Sequence, residues 1–294
     1  MGLLVFDIGG TSVKYGFWDE EEKIKDKGSF KSPGDWKEMK RLLIEVKKQY
    51  EETHSLKGVA ISAPGAVNQV DRQIEGFSAL NYLNYFPIYS ELEEAFGLPV
   101  SIENDANCAG LAEVWRGAAK HNDNVLFVVI GSGVGGAVIV NRKVHHGHHL
   151  HGGEFGFMLM NDTEVFSQVG TAVAMARRYA VRKGLAYDDI DGKAVFELAE
   201  QGDSIAKEEV DSFFKYLTIG LYNLSLAFDP EKIIIGGGVS NLNGLLERIE
   251  LELDRLKESM TFFPFRPIID TCAFKSDANL IGAVYNFKQK HDNN

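Results

Sequence analysis

A strand, glycine turn, strand device occurs twice in this chain, and it limits the fold more than any other feature. Leu3-Leu4-Val5-Phe6 is an apolar run, Gly9-Gly10 is a turn signal, and Val13 to Trp18 resumes with mixed polar and apolar residues. About 120 residues later, Val125 to Ile130 is again an apolar strand, Gly131-Ser132-Gly133 a glycine turn, and Gly135 to Val140 a returning strand. Such recurrence predicts two related halves, each opening with a hairpin whose turn faces a shared cleft. The period is too long for a solenoid.

Around these hairpins, strands alternate with helices, which predicts an α/β architecture. A third strand is expected near Lys27 to Lys31, a buried strand at Gly58 to Ile61, and others at Val100 to Ile102 and Lys232 to Ile235. Met39, Leu42, Leu43, Val46 and Tyr50 step by three and four, so residues 36–50 present a helical face. Residues 90–96 form a short helix ended by Gly97, and Asn104 caps a helix running to about Trp115. Further helices are expected at about 166–183, 193–200, 204–228, 243–257 and 278–289. The expected domains are residues 1–115, with the helix from 278 to the end packing back on them, and residues 116–277.

Composition narrows the function. The 294 residues carry 31 Lys plus Arg against 42 Asp plus Glu, a net charge of −11. That argues against a nucleic-acid binder, which needs a positive surface for phosphate backbones. Cys108 and Cys272 are too few for a disulfide framework and form no C-x-x-C pair, which fits a reducing compartment. MGLLVFDIGG meets an acid after six residues, too short an apolar run for a signal peptide, and Val125 to Ile130 falls far short of a membrane helix. The expectation is a cytoplasmic enzyme or sensor without membrane attachment.

Three glycine-rich strand exits carry the chemistry. Asp7-Ile8-Gly9-Gly10-Thr11 places a carboxylate at a strand end, then two residues without Cβ, then a hydroxyl. Consecutive N–H groups in such a turn form an anion-binding concavity, and Asp7 beside it has the chemistry to hold the Mg²⁺ that accompanies a nucleotide. Taken alone, Gly-Gly is also an ordinary type I′ hairpin turn. Gly131-Ser132-Gly133-Val134-Gly135-Gly136 and Gly236-Gly237-Gly238 also follow apolar strands, and three such exits are hard to explain as unrelated turns. None is a P-loop, and a strand-like segment after Gly136 defeats a Rossmann assignment. Asp105, between Asn104 and Asn107 in the first turn of a helix, reads either as part of an N-cap cluster or as a carboxylate poised to take a proton.

The five motifs Asp7-Ile8-Gly9-Gly10-Thr11, Glu103-Asn104-Asp105-Ala106-Asn107, Gly131 to Gly136, Gly153-Glu154-Phe155-Gly156 and Ile235 to Ser240 resemble, in that order, those of the ROK family of repressors and sugar kinases. The resemblance implies an actin-like (ribonuclease H-like) two-domain ATPase fold, with ATP and a sugar in the interdomain cleft. It implies that Asp7, Gly9, Gly10 and Thr11, and Gly131, Ser132, Gly133 and Gly135, hold phosphates, while Gly236, Gly237 and Gly238 lie by the adenosine. Asp105 becomes the catalytic base, and Asn104 and Glu154 become sugar ligands. The Ser62-Ala63-Pro64-Gly65 segment, with Ala63, Pro64 and Gly65, resembles the sugar-side loop. Glu164 and His151 are further candidate sugar contacts, and a homodimer is an expectation of the family.

Two departures refine the reading. Many ROK kinases bind a structural zinc through a histidine just after the Glu-x-Gly element and a downstream cysteine cluster. Here Phe157 stands at the histidine and no cysteine lies between Cys108 and Cys272, so no structural zinc is expected; His145, His146, His148, His149 and His151 read as a polar loop. Phe157 and Met158 imply a more apolar wall near the sugar's anomeric end, as in zinc-free members that phosphorylate the 6-hydroxyl of β-glucosides such as cellobiose. Glucokinase and N-acetylmannosamine kinase are the enzymatic alternatives. A sugar-sensing repressor carries a helix-turn-helix ahead of the first glycine motif, and only six residues precede Asp7.

Overall fold

Leu4, Phe6 and Ile8 of the first strand enter one apolar core while Leu3 and Val5 enter another, so β1 (Gly2–Ile8) is covered on both faces. The computed structural model describes residues 2–19, 21–76 and 78–291. In chain order β1 is followed by β2 (Ser12–Trp18), β3 (Ile24–Lys31), α1 (Trp36–Glu51), β4 (Leu56–Ala63), the small hairpin β5 (Ala66–Asn68) and β6 (Gln73–Glu75), α2 (Ile88–Phe96), β7 (Val100–Asn104) and α3 (Asp105–Arg116). The first sheet has the order β3-β2-β1-β4-β7. Its hairpin strands β1, β2 and β3 pair antiparallel, whereas β4 and β7 add in parallel through α1 and α2. Met39, Leu43, Val46 and Tyr50 of α1 and Tyr89, Leu92 and Phe96 of α2 fill the face that holds Phe6. Gly97 takes the left-handed conformation (φ 63°) that ends α2.

The second half repeats the plan. It comprises β8 (Val125–Ile130), β9 (Val134–Val140), β10 (Lys143–Val144), α4 (Phe166–Val169), α5 (Ala172–Lys183), α6 (Gly192–Glu200), α7 (Ser204–Phe228), β11 (Lys232–Gly236), α8 (Leu245–Ser259) and β12 (Ile269–Thr271). The sheet order, β10-β9-β8-β11-β12, has the connectivity of the first sheet, again with an antiparallel hairpin followed by parallel strands. The repeat read from the glycine hairpins is therefore a repeat of topology. One expected helix, 166–183, is broken: the Phe166 ring packs over Gly170, and Thr171 starts α5 by accepting the Ala174 N–H at 3.1 Å. The short strands β5, β6, β10 and β12 are findings of the structure alone.

The last helix, α9 (Ala278–His291), packs in the first unit against α3, β1 and β4. Close approach requires small residues there. A Cβ on Gly58 would lie 2.3 Å from the Phe287 ring, and one on Gly282 1.7 Å from the Cys108 carbonyl oxygen. The chain divides into one unit of Met1–Lys120, Lys143–Gly152 and Ser276–Asn294, and a second of His121–Arg142 and Gly153–Lys275. The histidine-rich segment thus belongs with the first unit, although it lies inside the range expected for the second domain. No described helix is long and apolar enough to cross a membrane.

Candidate functional site

In the first unit the candidate residues gather at the carboxyl ends of β1, β4 and β7, the edge where parallel α/β sheets bind ligands. Asp7, Ser62 and Glu103 are register partners across these strands, so they form one row on the face toward α3 and α9. Asp7 is mostly buried, and Ser62 Oγ and Asn279 Nδ2 both donate to its Oδ1, at 2.9 and 3.0 Å. Its Oδ2 takes neither bond. A divalent magnesium needs one or two carboxylate oxygens and keeps several waters, so this fixed, half-engaged carboxylate fits the ion. In the turn beyond it, Gly9 N–H bonds back to the Ser12 carbonyl at 3.0 Å. Among the described residues the N–H groups of Gly10 and Thr11 take no backbone acceptor, and both residues are exposed.

Asn104 caps α3. Its Oδ1 accepts from the N–H groups of Ala106 and Asn107 at 2.9 and 3.2 Å, and its Nδ2 donates to the Gly65 carbonyl at 3.0 Å. The cap therefore fastens the Ala63-Pro64-Gly65 loop to the start of α3. Gly65 has φ 99°, and a Cβ there would lie 2.6 Å from Ile74, which explains the glycine. Asp105, half-exposed, is the first residue of α3; its Oδ1 shares the Ala106 N–H at 2.8 Å. The N-cap role and the first-turn carboxylate coexist on two neighbouring residues. Asn107 is buried and turned inward, its Nδ2 donating to Glu103 at 3.0 Å, so it does not present an amide at the surface. Cys108 lies beneath the carboxylates: burial pushes its thiol well up, and Glu103, Asp7 and Asp105 push it further.

In the second unit Gly131 N–H bonds to the Gly133 carbonyl at 2.9 Å, and among the described residues the N–H groups of Ser132 and Gly133 take no backbone acceptor. Like the Gly9 turn, this one leaves two N–H groups without a backbone acceptor, but it closes one residue tighter, from Gly131 to Gly133 rather than from Gly9 to Ser12. Gly135 continues it into β9. Gly237, with φ 82°, sits so close to the end of β8 that a Cβ would lie 2.3 Å from the Ile130 carbonyl, which brings Gly236, Gly237 and Gly238 beside that turn. Gly153 and Gly156 lie against the backbone of β9, where Cβ atoms would come within 2.3 and 2.1 Å of the carbonyls of Gly136 and Val134. The exposed Glu154 is thereby held next to the same hairpin. Ser167, which the sequence reading did not single out, accepts the Val134 N–H at 2.9 Å.

Other candidates have local structural bonds. The Glu164 carboxylate accepts from Asn161 Nδ2 at 2.8 Å while Asn161 Oδ1 accepts the Glu164 N–H, closing a small loop. His151 is exposed, with Nδ1 2.6 Å from the His149 carbonyl. The histidine bonded beside Asn104 is His146, which reaches Glu103. Phe157 is 71 % exposed, whereas Met158 turns into the core of the second unit, so of the expected apolar pair only Phe157 faces outward. Among the described residues no cluster of three or more His, Cys, Asp or Glu side chains is arranged to hold a metal ion.

The ROK family profile matches residues 3–290. A β-glucoside kinase of Klebsiella pneumoniae is 36% identical over 299 residues, covering 98% of this chain and 97% of its own. A Streptococcus pneumoniae ROK family protein in complex with sucrose superimposes with a TM-score of 0.90 at 33% identity over the whole of both chains. A Streptomyces griseus ROK family glucokinase in complex with glucose and AMPPNP gives 0.74 at 27% identity, covering 96% of this chain and 98% of its own. With sheets of one connectivity in both units, the fold is the actin-like α/β fold of these proteins. The chain belongs to the ROK family.

Proposed function

We propose that this protein transfers the γ-phosphoryl group of ATP to the 6-hydroxyl of a β-glucoside such as cellobiose. The observation that carries the reading is the half-exposed Asp105 carboxylate at the head of a capped helix, on the sheet edge that also bears Asp7 and its glycine turn. A sugar hydroxyl is a poor nucleophile, so phosphoryl transfer needs positioning, charge neutralisation and a proton acceptor. Asp105 takes the hydroxyl proton as the new O–P bond forms and the bond to the leaving ADP breaks. Asn104, with one amide hydrogen beyond its bond to Gly65, and Glu154 orient the sugar hydroxyls. The N–H groups of Gly10, Thr11, Ser132 and Gly133 bind phosphate oxygens, and Gly236 to Gly238 lie by the adenosine. Asp7 would hold Mg²⁺, which supplies positive charge to the phosphates.

The extensive identity to a β-glucoside kinase supports that substrate class over glucose, as does the exposed Phe157 ring three residues from Glu154. The likeness to the glucokinase bound to glucose favours a second reading, the free monosaccharide. ADP release measured with cellobiose, an aryl β-glucoside and glucose separates them. The β-glucoside reading expects the first two to be the better substrates. Glucose turnover exceeding theirs by orders of magnitude overturns it in favour of the second.

A further inference from the structure

We propose that His146 is a positioning residue for this reaction: it holds the buried Glu103 carboxylate on which the first turn of α3, with Asn104 and Asp105, is hung. The inference rests on the reading of Asp105 given above. Glu103 is 1 % exposed, and a buried carboxylate without partners is costly. Its oxygens are saturated instead. Oε1 accepts from the Asn104 N–H at 2.9 Å and from Asn107 Nδ2 at 3.0 Å, both in the turn that carries Asp105. Oε2 accepts from Gln69 Nε2 at 3.2 Å. His146 Nε2 bridges the two oxygens at 3.1 and 3.0 Å. Burial raises the Glu103 pKa, but the His146 bond, the charges of His146 and Lys290, and the Asn104 N–H outweigh it and hold the group below the usual carboxylate range. The carboxylate is therefore ionised and only accepts, so His146 Nε2 carries the proton.

The other donors are themselves fixed. Tyr89 Oη and Lys290 Nζ donate to Gln69 Oε1 at 3.1 and 2.6 Å, which leaves the Gln69 amide nitrogen facing the Ile102 carbonyl and Glu103. His146 comes from a loop closed by the Gly152 N–H bonding to its own carbonyl at 2.8 Å; a Cβ on Gly152 would lie 2.1 Å from the His145 carbonyl. The loop is anchored to Glu103 through the His146 side chain. Among the described residues, the imidazole is the side-chain donor that engages both Glu103 oxygens, so it fixes the plane of the carboxylate. That plane sets the direction of the bonds to Asn104 and Asn107, and through them the attitude of Asp105.

The test is a double-mutant cycle read by kcat and KM. His146→Leu removes the donor, and His146→Gln restores one. A misplacement of about 1 Å at a reacting group costs up to ~10²-fold in rate, so His146→Leu is expected to lower kcat by roughly 10- to 100-fold with KM for ATP unchanged. His146→Gln should recover kcat to within a few-fold. Glu103→Gln should lose a similar factor, and the double variant with His146→Leu should lose no more than the worse single change. Unchanged kcat in folded His146→Leu overturns the proposal, as does a loss confined to KM for ATP. Should His146→Leu not fold, equal kcat in Glu103→Gln and wild type overturns it instead. Asp105→Asn separates the two ideas: retained turnover there sinks the Asp105 reading, whereas lost turnover there beside an active His146→Leu sinks only this one.

Discussion

Replacing Gly282 by alanine should loosen the helix pair that supports Asp105, and the structure fixes the size of the effect. A Cβ at this position would lie 1.7, 2.3 and 2.7 Å from the carbonyl oxygen, carbonyl carbon and Cα of Cys108, all backbone atoms of α3. No rotamer change relieves such a contact. To regain ordinary separation of 3.4 Å, the helices must part by about 1.7 Å. Overpacking costs ~1–3 kcal/mol where side chains can adjust, and a rigid carbonyl puts this site at the upper end. Alanine returns about 1 kcal/mol of helix propensity in the interior of α9, leaving a net loss of about 2 kcal/mol. For the cooperative unit of about 150 residues that holds both helices, this lowers Tm by about 4–8 °C. Thermal unfolding followed by circular dichroism measures it, with Gly34→Ala as the control because a Cβ there meets nothing within 4 Å. Since α3 carries Asp105, kcat should fall as well, in protein that is still folded. A Gly282→Ala variant as stable and active as wild type would refute the account of the α3–α9 contact.

Two further outcomes follow from the titratable groups. Cys108, fully buried and with its thiol pushed well up, should resist a thiol reagent until the protein unfolds, while the less buried Cys272 reacts; rapid modification of Cys108 in a Cys272→Ser variant would contradict this. Asp203, the cap of α7, is held at about 2, first by the Lys183 ammonium and then by the Ala206 N–H, against an ordinary value of 3.8. A depressed carboxyl stabilises the fold above its unfolded pKa and loses that contribution as pH falls through the folded value. The Tm difference between wild type and Asp203→Asn should therefore be greatest above about pH 4 and shrink toward pH 2. A difference constant over that range would be inconsistent with the Lys183 pair.

The sequence speaks clearly where local chemistry decides. Gly9-Gly10 and Gly131-Ser132-Gly133 sit between apolar runs, so both hairpins are legible, and with them the repeat that the two sheets display. Asn104 before Asp105 announces the start of α3 because capping needs only the next three residues. Partnerships made by tertiary packing are a different matter. Asn279 reaches Asp7 from the other end of the chain, and His146 reaches Glu103 across 43 residues, with nothing in either segment's spacing to mark the pairing. The histidine cluster signals an unusual loop but not which ring turns inward, since that depends on Gly147 and Gly152 closing the loop. Strands of two or three residues, such as β10 and β12, are too short for a periodic signal.

The most direct measurement is the turnover of Asp105→Asn with ATP and cellobiose. The substitution keeps the size and the first-turn position of the side chain but removes its capacity to take a proton. If Asp105 is the base, kcat falls by ~10²–10⁴-fold while KM for ATP stays within a few-fold of wild type. A variant that phosphorylates cellobiose at the wild-type rate would contradict the account.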